Sequence, residues 1–215
     1  MKYEFFYFGP HLFKTTLDEQ FCDKMLEFKG TIANETLAGH FDHEYFITKE
    51  GQNYFMNHLQ NTGVIPAFKE SFKHFYDDEV PRNLKLDSMW INYMSAGDFN
   101  PWHEHSQDLS FVFFVKIDEQ ILEENKQHKG TDKDLGPGSL TFSWGEPQEG
   151  MIHHKSFVPN QGDLLIFPAK LRHMVYPFKS NVQRISIAGN IGFEEVWYYL
   201  REYLIRIFYQ QVINL

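Results

Sequence analysis

Residues 100–117 have the sequence NPWHEHSQDLSFVFFVKI. The second half of this stretch, Leu109 to Ile117, is a run of aliphatic and aromatic residues that is typical of a buried β-strand. The first half carries His103 and His105, and side chains two residues apart on an extended strand point to the same face. The stretch therefore predicts a buried sheet with two imidazoles directed at a common point beside it.

Further short β-rich runs lie on both sides of this stretch, separated by Gly, Pro and Asn residues. Many short strands with turn signals between them indicate a β-sandwich or barrel. We therefore expect a mainly β fold with flanking helices and an antiparallel core. The other predicted strands are Ser88 to Met94, Ser139 to Trp144, Ile152 to Phe157, Asp163 to Phe167 and Arg184 to Asn190.

Helical patterns precede the β-rich part. Thr16 and Glu19 fit a capping box at the start of a first helix. Residues 52–78 have apolar residues at helical spacing, with a break at Gly63 to Pro66. Within the β-rich part, the polar stretch from Lys126 to Gly136 predicts an exposed loop.

The C-terminal segment, residues 194–215, has a wide apolar stripe at helical spacing and predicts a long helix. This helix packs on the β-core or, as the alternative, forms a homodimer contact. No repeat or linker divides the chain, so we expect a single domain. Its parts are an N-terminal support at 1–84, a β-core at 85–193 and the closing helix.

The composition limits the compartment and the partners. The net charge of −9 over 215 residues disfavours duplex nucleic acid, whose binding needs clustered Lys and Arg. Cys22 is the only cysteine, so no internal disulfide can form, and a cytoplasmic location (the host cytoplasm for a viral chain) is expected. No apolar stretch is long enough to predict a membrane span. The aromatic content of 17% favours a peptide or small-molecule substrate.

A third histidine, His173, follows the predicted strand from Asp163 to Phe167. It can complete three corners of a metal site with His103 and His105. Non-haem iron sites usually use two His and one carboxylate and leave other positions open. Asp108 could supply that carboxylate only if the chain turns inward, so His105 and Asp108 both remain candidates for the third ligand.

Two segments resemble those of the Fe(II)- and 2-oxoglutarate-dependent oxygenases. Residues 90–105, from Trp90 to His105, look like the ligand strand of that superfamily, and so do residues 162–173. The triplet Arg184-Ile185-Ser186 matches the Arg-x-Ser that holds the distal carboxylate of the co-substrate there. More closely, the chain is similar to a subgroup from bacteria and phages that carries His-x-His before a β-run. The resemblance spans residues 88–193, and His105 stands where the wider superfamily has a carboxylate.

The resemblance implies a double-stranded β-helix core, the jelly roll that cupins share. It also implies an iron dioxygenase that hydroxylates a peptide or small molecule and releases succinate and CO2. Fe(II) would be held by three histidines, with Asp108 as the alternative third ligand, and no further catalytic side chain is predicted. The metal and 2-oxoglutarate ligands that it implies are His103, His105, His173, Arg184, Ser186, Tyr93 and Asn92.

Two alternatives remain from the sequence. Gly97 and Gly162 precede the histidines at spacings that fit much of the two cupin motifs, and a cupin would need no 2-oxoglutarate. However, Leu109 and Ser110 stand where a cupin has a glutamate. A non-catalytic binding module, of viral origin for instance, would need neither the histidines nor Arg184.

Overall fold

The computed structural model describes residues 9–33, 39, 43–76, 83–128, 136–147, 149 and 153–194. Within these ranges, strands outnumber helices. The strands are β1 (Phe13–Thr16), β2 (Lys29–Ile32), β3 (His43–Ile47), β4 (Asn83–Met94), β5 (Asn100–His103), β6 (Leu109–Lys116), β7 (Leu140–Ser143), β8 (His154–Phe157), β9 (Asp163–Pro168), β10 (Arg172–Val175) and β11 (Arg184–Glu194). The helices are α1 (Glu19–Leu26), α2 (Lys49–Asn61), α3 (Val64–Tyr76) and α4 (Glu119–Gln127).

The strands form two antiparallel sheets. The larger sheet has the order β1-β9-β6-β11-β4-β3-β2, and the smaller sheet has the order β5-β10-β7-β8. Neighbours in each sheet are often far apart in sequence, as in β11, which pairs with both β4 and β6. This is the jelly-roll arrangement, and it confirms the predicted mainly β fold.

The larger sheet has two different faces because successive side chains of a strand point in opposite directions. On the helix face, Ile91, Phe113 and Ile187 pack with Phe21 of α1 and Phe55 of α2 in one apolar cluster. The inner face turns towards the smaller sheet. There the apolar side chains form a second cluster, which includes Val112, Phe114, Leu165 and Phe167 from the larger sheet and Leu140, Phe142 and Val175 from the smaller one.

The N-terminal segment does more than support the core. It supplies β1, β2 and β3 to the larger sheet, so the sheet is not confined to the predicted core at 85–193. The short strands β2 and β3 mix polar and apolar residues and were not predicted. The predicted break at Gly63 to Pro66 is confirmed at Gly63, which separates α2 from α3 and whose φ of 83° suits a helix end. Val64 to Pro66 already belong to α3, so the break is shorter than predicted.

Two local predictions were wrong. The first helix is capped by Asp18, whose side chain accepts a hydrogen bond from the backbone N–H of Phe21, and not by Thr16. Thr16 ends β1 instead, and its hydroxyl donates to Asp163. The start of the predicted loop at Lys126 belongs to α4, which Asp118 caps. Both aspartates satisfy N–H groups that a helix start would otherwise leave without partners.

The C-terminal helix predicted at 194–215 falls, after Glu194, outside the described residues, and so does its suggested homodimer contact. The strand β11 itself continues to Glu194. In the described part of the chain, no helix has the length and apolar character that crossing a membrane requires.

Candidate active site

Three histidines converge between the two sheets. His103 ends β5, an edge strand of the smaller sheet, and it pairs directly with His173 of β10. His105 lies two residues further on, and its backbone N–H donates to the carbonyl of Ala169. One nitrogen from each of the three imidazoles lies within 4.8 Å of the others. The i, i+2 spacing and the cross-strand pair together create the cluster.

In two of these imidazoles, a backbone carbonyl determines which ring nitrogen carries the proton. Nδ1 of His103 lies 2.7 Å from the carbonyl of Pro101, and Nδ1 of His173 lies 2.8 Å from the carbonyl of Leu171. A carbonyl oxygen can only accept, so Nδ1 is the donor in both bonds. The lone pair of each neutral ring is then on Nε2, which is the usual arrangement of a metal-binding histidine.

Burial keeps the three imidazoles neutral. It lowers the pKa of His103, that of His105 to about 4 and that of His173 to about 3. Repulsion between neighbouring imidazoles is a smaller cause of the lowered pKa values of His105 and His173. Because a histidine must be neutral to bind a metal, the cluster is in the binding form at pH 7. The donor set therefore fits a divalent transition metal.

Asp108 lies apart from this cluster. Its Oδ2 accepts a hydrogen bond of 2.7 Å from the backbone N–H of Phe193. The group of mutually close ligand atoms in the described residues consists of the three histidines and does not include Asp108. Glu104, which lies between His103 and His105 in the sequence, is half exposed, and its Oε1 lies 3.6 Å from Nζ of Lys170.

Arg184 is a buried cation on the inner face. Only 2% of it is exposed, and its guanidinium lies over the ring of Phe114 with 4.9 Å between the guanidinium carbon and the ring centroid. Nη1 donates to the sulfur of Met94, but Nε and Nη2 have no hydrogen-bond partner among the described residues. Burial lowers the pKa of Arg184 to about 10, so the group remains charged at pH 7. A buried cation with unused donors fits an anionic ligand, because it is costly without one.

One pocket, here the inner pocket, joins the histidines to Arg184. Its empty volume is about 490 Å³, and His103, His105, His173 and Arg184 all line it. Ser186 and Asn92 also line it, and they are direct cross-strand partners on β11 and β4. The Oδ1 atom of Asn92 is buried without a partner in the described part of the chain. The inner pocket thus presents three polar groups next to the three histidines: the guanidinium of Arg184, the hydroxyl of Ser186 and the amide of Asn92.

Tyr93 is not brought to this pocket. It is next to Asn92 on β4 and therefore points to the helix face, where its ring packs edge-on against Tyr45 at 5.9 Å. Nζ of Lys29 lies 5.7 Å from the centroid of the same ring. Adjacent residues of one strand cannot both face the pocket. The structure thus places Asn92 at the site and Tyr93 behind the sheet.

A second pocket, here the outer pocket, shares His103, His105 and Trp90 with the inner one and has an empty volume of about 880 Å³. It contains Glu44, a buried residue of β3 that the sequence analysis did not select. Burial raises the pKa of the Glu44 carboxyl to about 7. Glu44 is followed directly by Tyr45, Phe46 and Ile47, and a charged residue at the start of such a run could have signalled the site, but β3 is only five residues long.

No curated protein matches the sequence of this chain. A family model described as "Putative 2OG-Fe(II) oxygenase" matches residues 88–190. Those residues include the three histidines, Arg184 and Ser186.

Solved structures of such oxygenases share the fold. HygX from Streptomyces hygroscopicus, with nickel and 2-oxoglutarate bound, has a TM-score of 0.56 at 11% identity over 84% of this chain and 82% of that chain. The viral collagen prolyl hydroxylase vCPH from Paramecium Bursaria Chlorella virus-1, in a 2-oxoglutarate complex, has a TM-score of 0.52 at 12% identity over 85% and 96%. A 2OG-Fe(II) oxygenase family oxidoreductase from Burkholderia pseudomallei has a TM-score of 0.50 at 13% identity over 80% and 77%.

These identities are low, so the solved structures establish the fold, and the family model adds the sequence relationship. Residues 88–190, just under half of the chain, therefore match the 2-oxoglutarate- and Fe(II)-dependent oxygenase family in sequence, and the fold agrees with that match.

Proposed function

We propose that His103, His105 and His173 hold the Fe(II) of this oxygenase, and that Arg184 holds the distal carboxylate of 2-oxoglutarate. One observation carries the proposal. Three neutral imidazoles and a buried guanidinium with unused donors line the same pocket. Bound Fe(II) and 2-oxoglutarate would supply the oxidation of a substrate C–H bond by dioxygen, with succinate and CO2 as co-products.

The protein's own residues position the co-substrate. The planar guanidinium of Arg184 can pair with a carboxylate through two parallel hydrogen bonds, which a lysine cannot do. Ser186 is two residues further along β11 and points to the same face, so its hydroxyl can add a hydrogen bond. The amide of Asn92, directly across from Ser186, is a third polar contact. Trp90, which is buried, helps to exclude water from the pocket.

Three neutral ligands have an electrostatic consequence. They leave the full +2 charge of Fe(II) in the site, whereas a carboxylate ligand would reduce the net charge to +1. A dianionic co-substrate is attracted more strongly by the higher charge. The nearby Arg184 adds to this attraction, so the inner pocket is suited to a diacid.

The substrate is proposed to be a small molecule or a side chain of a peptide that enters through the outer pocket. His103 and His105 line this pocket, whereas Arg184 does not. The proposed cytoplasmic location is consistent with the single buried cysteine, Cys22.

The metal ligands can be tested by comparing iron occupancy in His105→Ala and Asp108→Ala under anaerobic loading with Fe(II). Loss in the first variant and retention in the second are expected, because the Asp108 carboxylate accepts a backbone hydrogen bond from Phe193. The opposite result would replace His105 by Asp108 as the third ligand. In the wild type, addition of 2-oxoglutarate to the Fe(II) protein should produce the visible charge-transfer band of a metal-bound keto acid. A protein that binds iron but never shows this band would contradict the co-substrate assignment.

A further inference from the structure

Strand β5 contains a bulge that turns Asn100 towards the pockets. His103 is opposite His173 and Asn100 is opposite Val175, so three residue steps on β5 correspond to two on β10. On a regular strand, residues three apart would point to opposite faces. Because paired residues share a face and Val175 belongs to the apolar cluster between the sheets, the bulge brings both β5 side chains inward. Bulges of this kind often redirect a side chain at a functional site.

Asn100 lies where the two pockets meet. The described residues that line both the inner and the outer pocket are Trp90, Asn100, His103 and His105. Asn100 therefore supplies the side-chain amide that the two pockets share. A ligand in the outer pocket can contact this amide and the two histidines together.

The carbonyl oxygen of this amide is an unused acceptor. The Oδ1 atom of Asn100 is buried, and it has no hydrogen-bond partner among the described residues. An unpaired buried acceptor is costly, so such atoms usually meet a ligand or water. The dianion 2-oxoglutarate cannot supply the missing donor, because its carboxylate and keto oxygens only accept hydrogen bonds. The other ligand of the site is the substrate.

We propose that Asn100 is a specificity-determining residue whose Oδ1 accepts a hydrogen bond from a neutral N–H or O–H group of the substrate. This inference rests on the proposed function, because it takes the outer pocket as the substrate entrance. The substrate is then an amide or an alcohol, and its hydrogen bond to Asn100 orients the neighbouring carbon towards the histidines. Trp90 offers an apolar surface for the carbon part of the same molecule.

The test uses two matched pairs of small ligands and ligand-observed NMR titration of the full chain, loaded with Fe(II) and 2-oxoglutarate without oxygen. N-methylbenzamide is compared with methyl benzoate, in which an oxygen replaces the N–H group. The alcohol 2-phenylethanol is compared with its isomer benzyl methyl ether, which has no O–H group. In the wild type, at least one donor should bind roughly 2- to 10-fold more tightly than its partner. The pair that responds distinguishes an amide from a hydroxyl substrate.

Three variants assign this preference to one oxygen atom. Asn100→Leu has a similar volume and no acceptor, so the preference for the donor should disappear. Asn100→Asp keeps an acceptor oxygen and should retain the preference. Asn57→Leu makes the same substitution at an exposed position of α2, and it should behave like the wild type.

Equal affinities within both pairs in the wild type, including no binding by any of the four ligands, would overturn the proposal whether or not the variants fold. So would a donor preference that survives in a folded Asn100→Leu protein. The charge-transfer band separates these results from a failure of the proposed function. If the band forms in both the wild type and Asn100→Leu, the loss of preference is assigned to Asn100. A donor preference that follows Asn100 in a protein without the band would support the donor site and contradict the co-substrate assignment.

Discussion

The two faces of the larger sheet are built from the same strands but differ in the polarity of the side chains that they bury. On the helix face, β4, β6 and β11 contribute Ile91, Phe113 and Ile187, and all three are completely buried among apolar side chains. On the inner face, one residue away along two of these strands, are Asn92 and Ser186. Burial of apolar groups stabilises a fold, whereas burial of polar groups costs free energy unless they find partners. The helix face thus contributes apolar packing alone, whereas the inner face combines a second apolar cluster with the polar side chains that are proposed to bind ligands.

The largest effect is expected from the helix face. Phe113→Ala removes a fully buried ring that lies 5.7 Å from Phe21 and 6.2 Å from Phe55 between ring centroids. The free energy of unfolding should fall by about 3–5 kcal/mol, measured by urea denaturation. Val158→Ala, at an exposed position, is the control and should cost less than about 1 kcal/mol. Equal losses in the two variants would remove the distinction between buried and exposed positions.

The second largest effect is expected on the inner face, where it concerns 2-oxoglutarate binding. Arg184→Ala should weaken 2-oxoglutarate binding by roughly 2–4 kcal/mol, because the carboxylate loses its bidentate partner. Calorimetry with the Fe(II) protein under anaerobic conditions measures this loss, and the iron content should remain almost unchanged. Arg184→Lys keeps the charge without the fork and should lie between the wild type and the alanine variant. Unchanged affinity in Arg184→Ala would show that the guanidinium does not bind the co-substrate.

The burial of Glu44 on the inner face should make the free energy of unfolding depend on pH. Burial raises its pKa from the ordinary 4.5 to about 7, so the folded protein binds this proton more tightly than the unfolded chain. The resulting stability is present below about pH 4.5 and is lost as the pH rises through 7. The free energy of unfolding of the wild type, minus that of Glu44→Gln, should therefore fall by about 1–3 kcal/mol between pH 4.5 and pH 8. Urea denaturation of the metal-free proteins measures it, and a difference that stays flat with pH would contradict the burial of an ionisable carboxyl.

The smallest effect is expected at Ser186. Ser186→Ala removes one neutral hydroxyl and should weaken 2-oxoglutarate binding by about 0.5–1.5 kcal/mol. Calorimetry under the conditions used for Arg184 allows a direct comparison. A loss as large as that of Arg184→Ala would mean that Ser186 contributes as much to co-substrate binding as the arginine and would contradict the expected order.

The alternation of side chains between the two faces of a strand explains which features could be predicted from the sequence. The apolar runs of β6 and β9 are long enough to identify strands by themselves, and the i, i+2 spacing of His103 and His105 predicts their convergence. The short strand β3 has mixed polarity, and its pairing with β4 is a long-range contact that no local pattern encodes. Glu44 was missed for that reason. The positions of Asn92 and Tyr93 depend on the register between β4 and its neighbours, so the sequence could propose both but could not choose the one that faces the pocket.

The position of β5 gives the proposed metal a second role. This strand is at the edge of the smaller sheet, and its register with β10 joins only two residue pairs, His103 with His173 and Asn100 with Val175. An ion bound by both histidines would act as a cross-link between the edge strand and its neighbour. Loading of the metal would then slow amide hydrogen exchange along β5. In this fold, a metal held by these histidines would complete the proposed site and stabilise the edge of the smaller sheet at the same time.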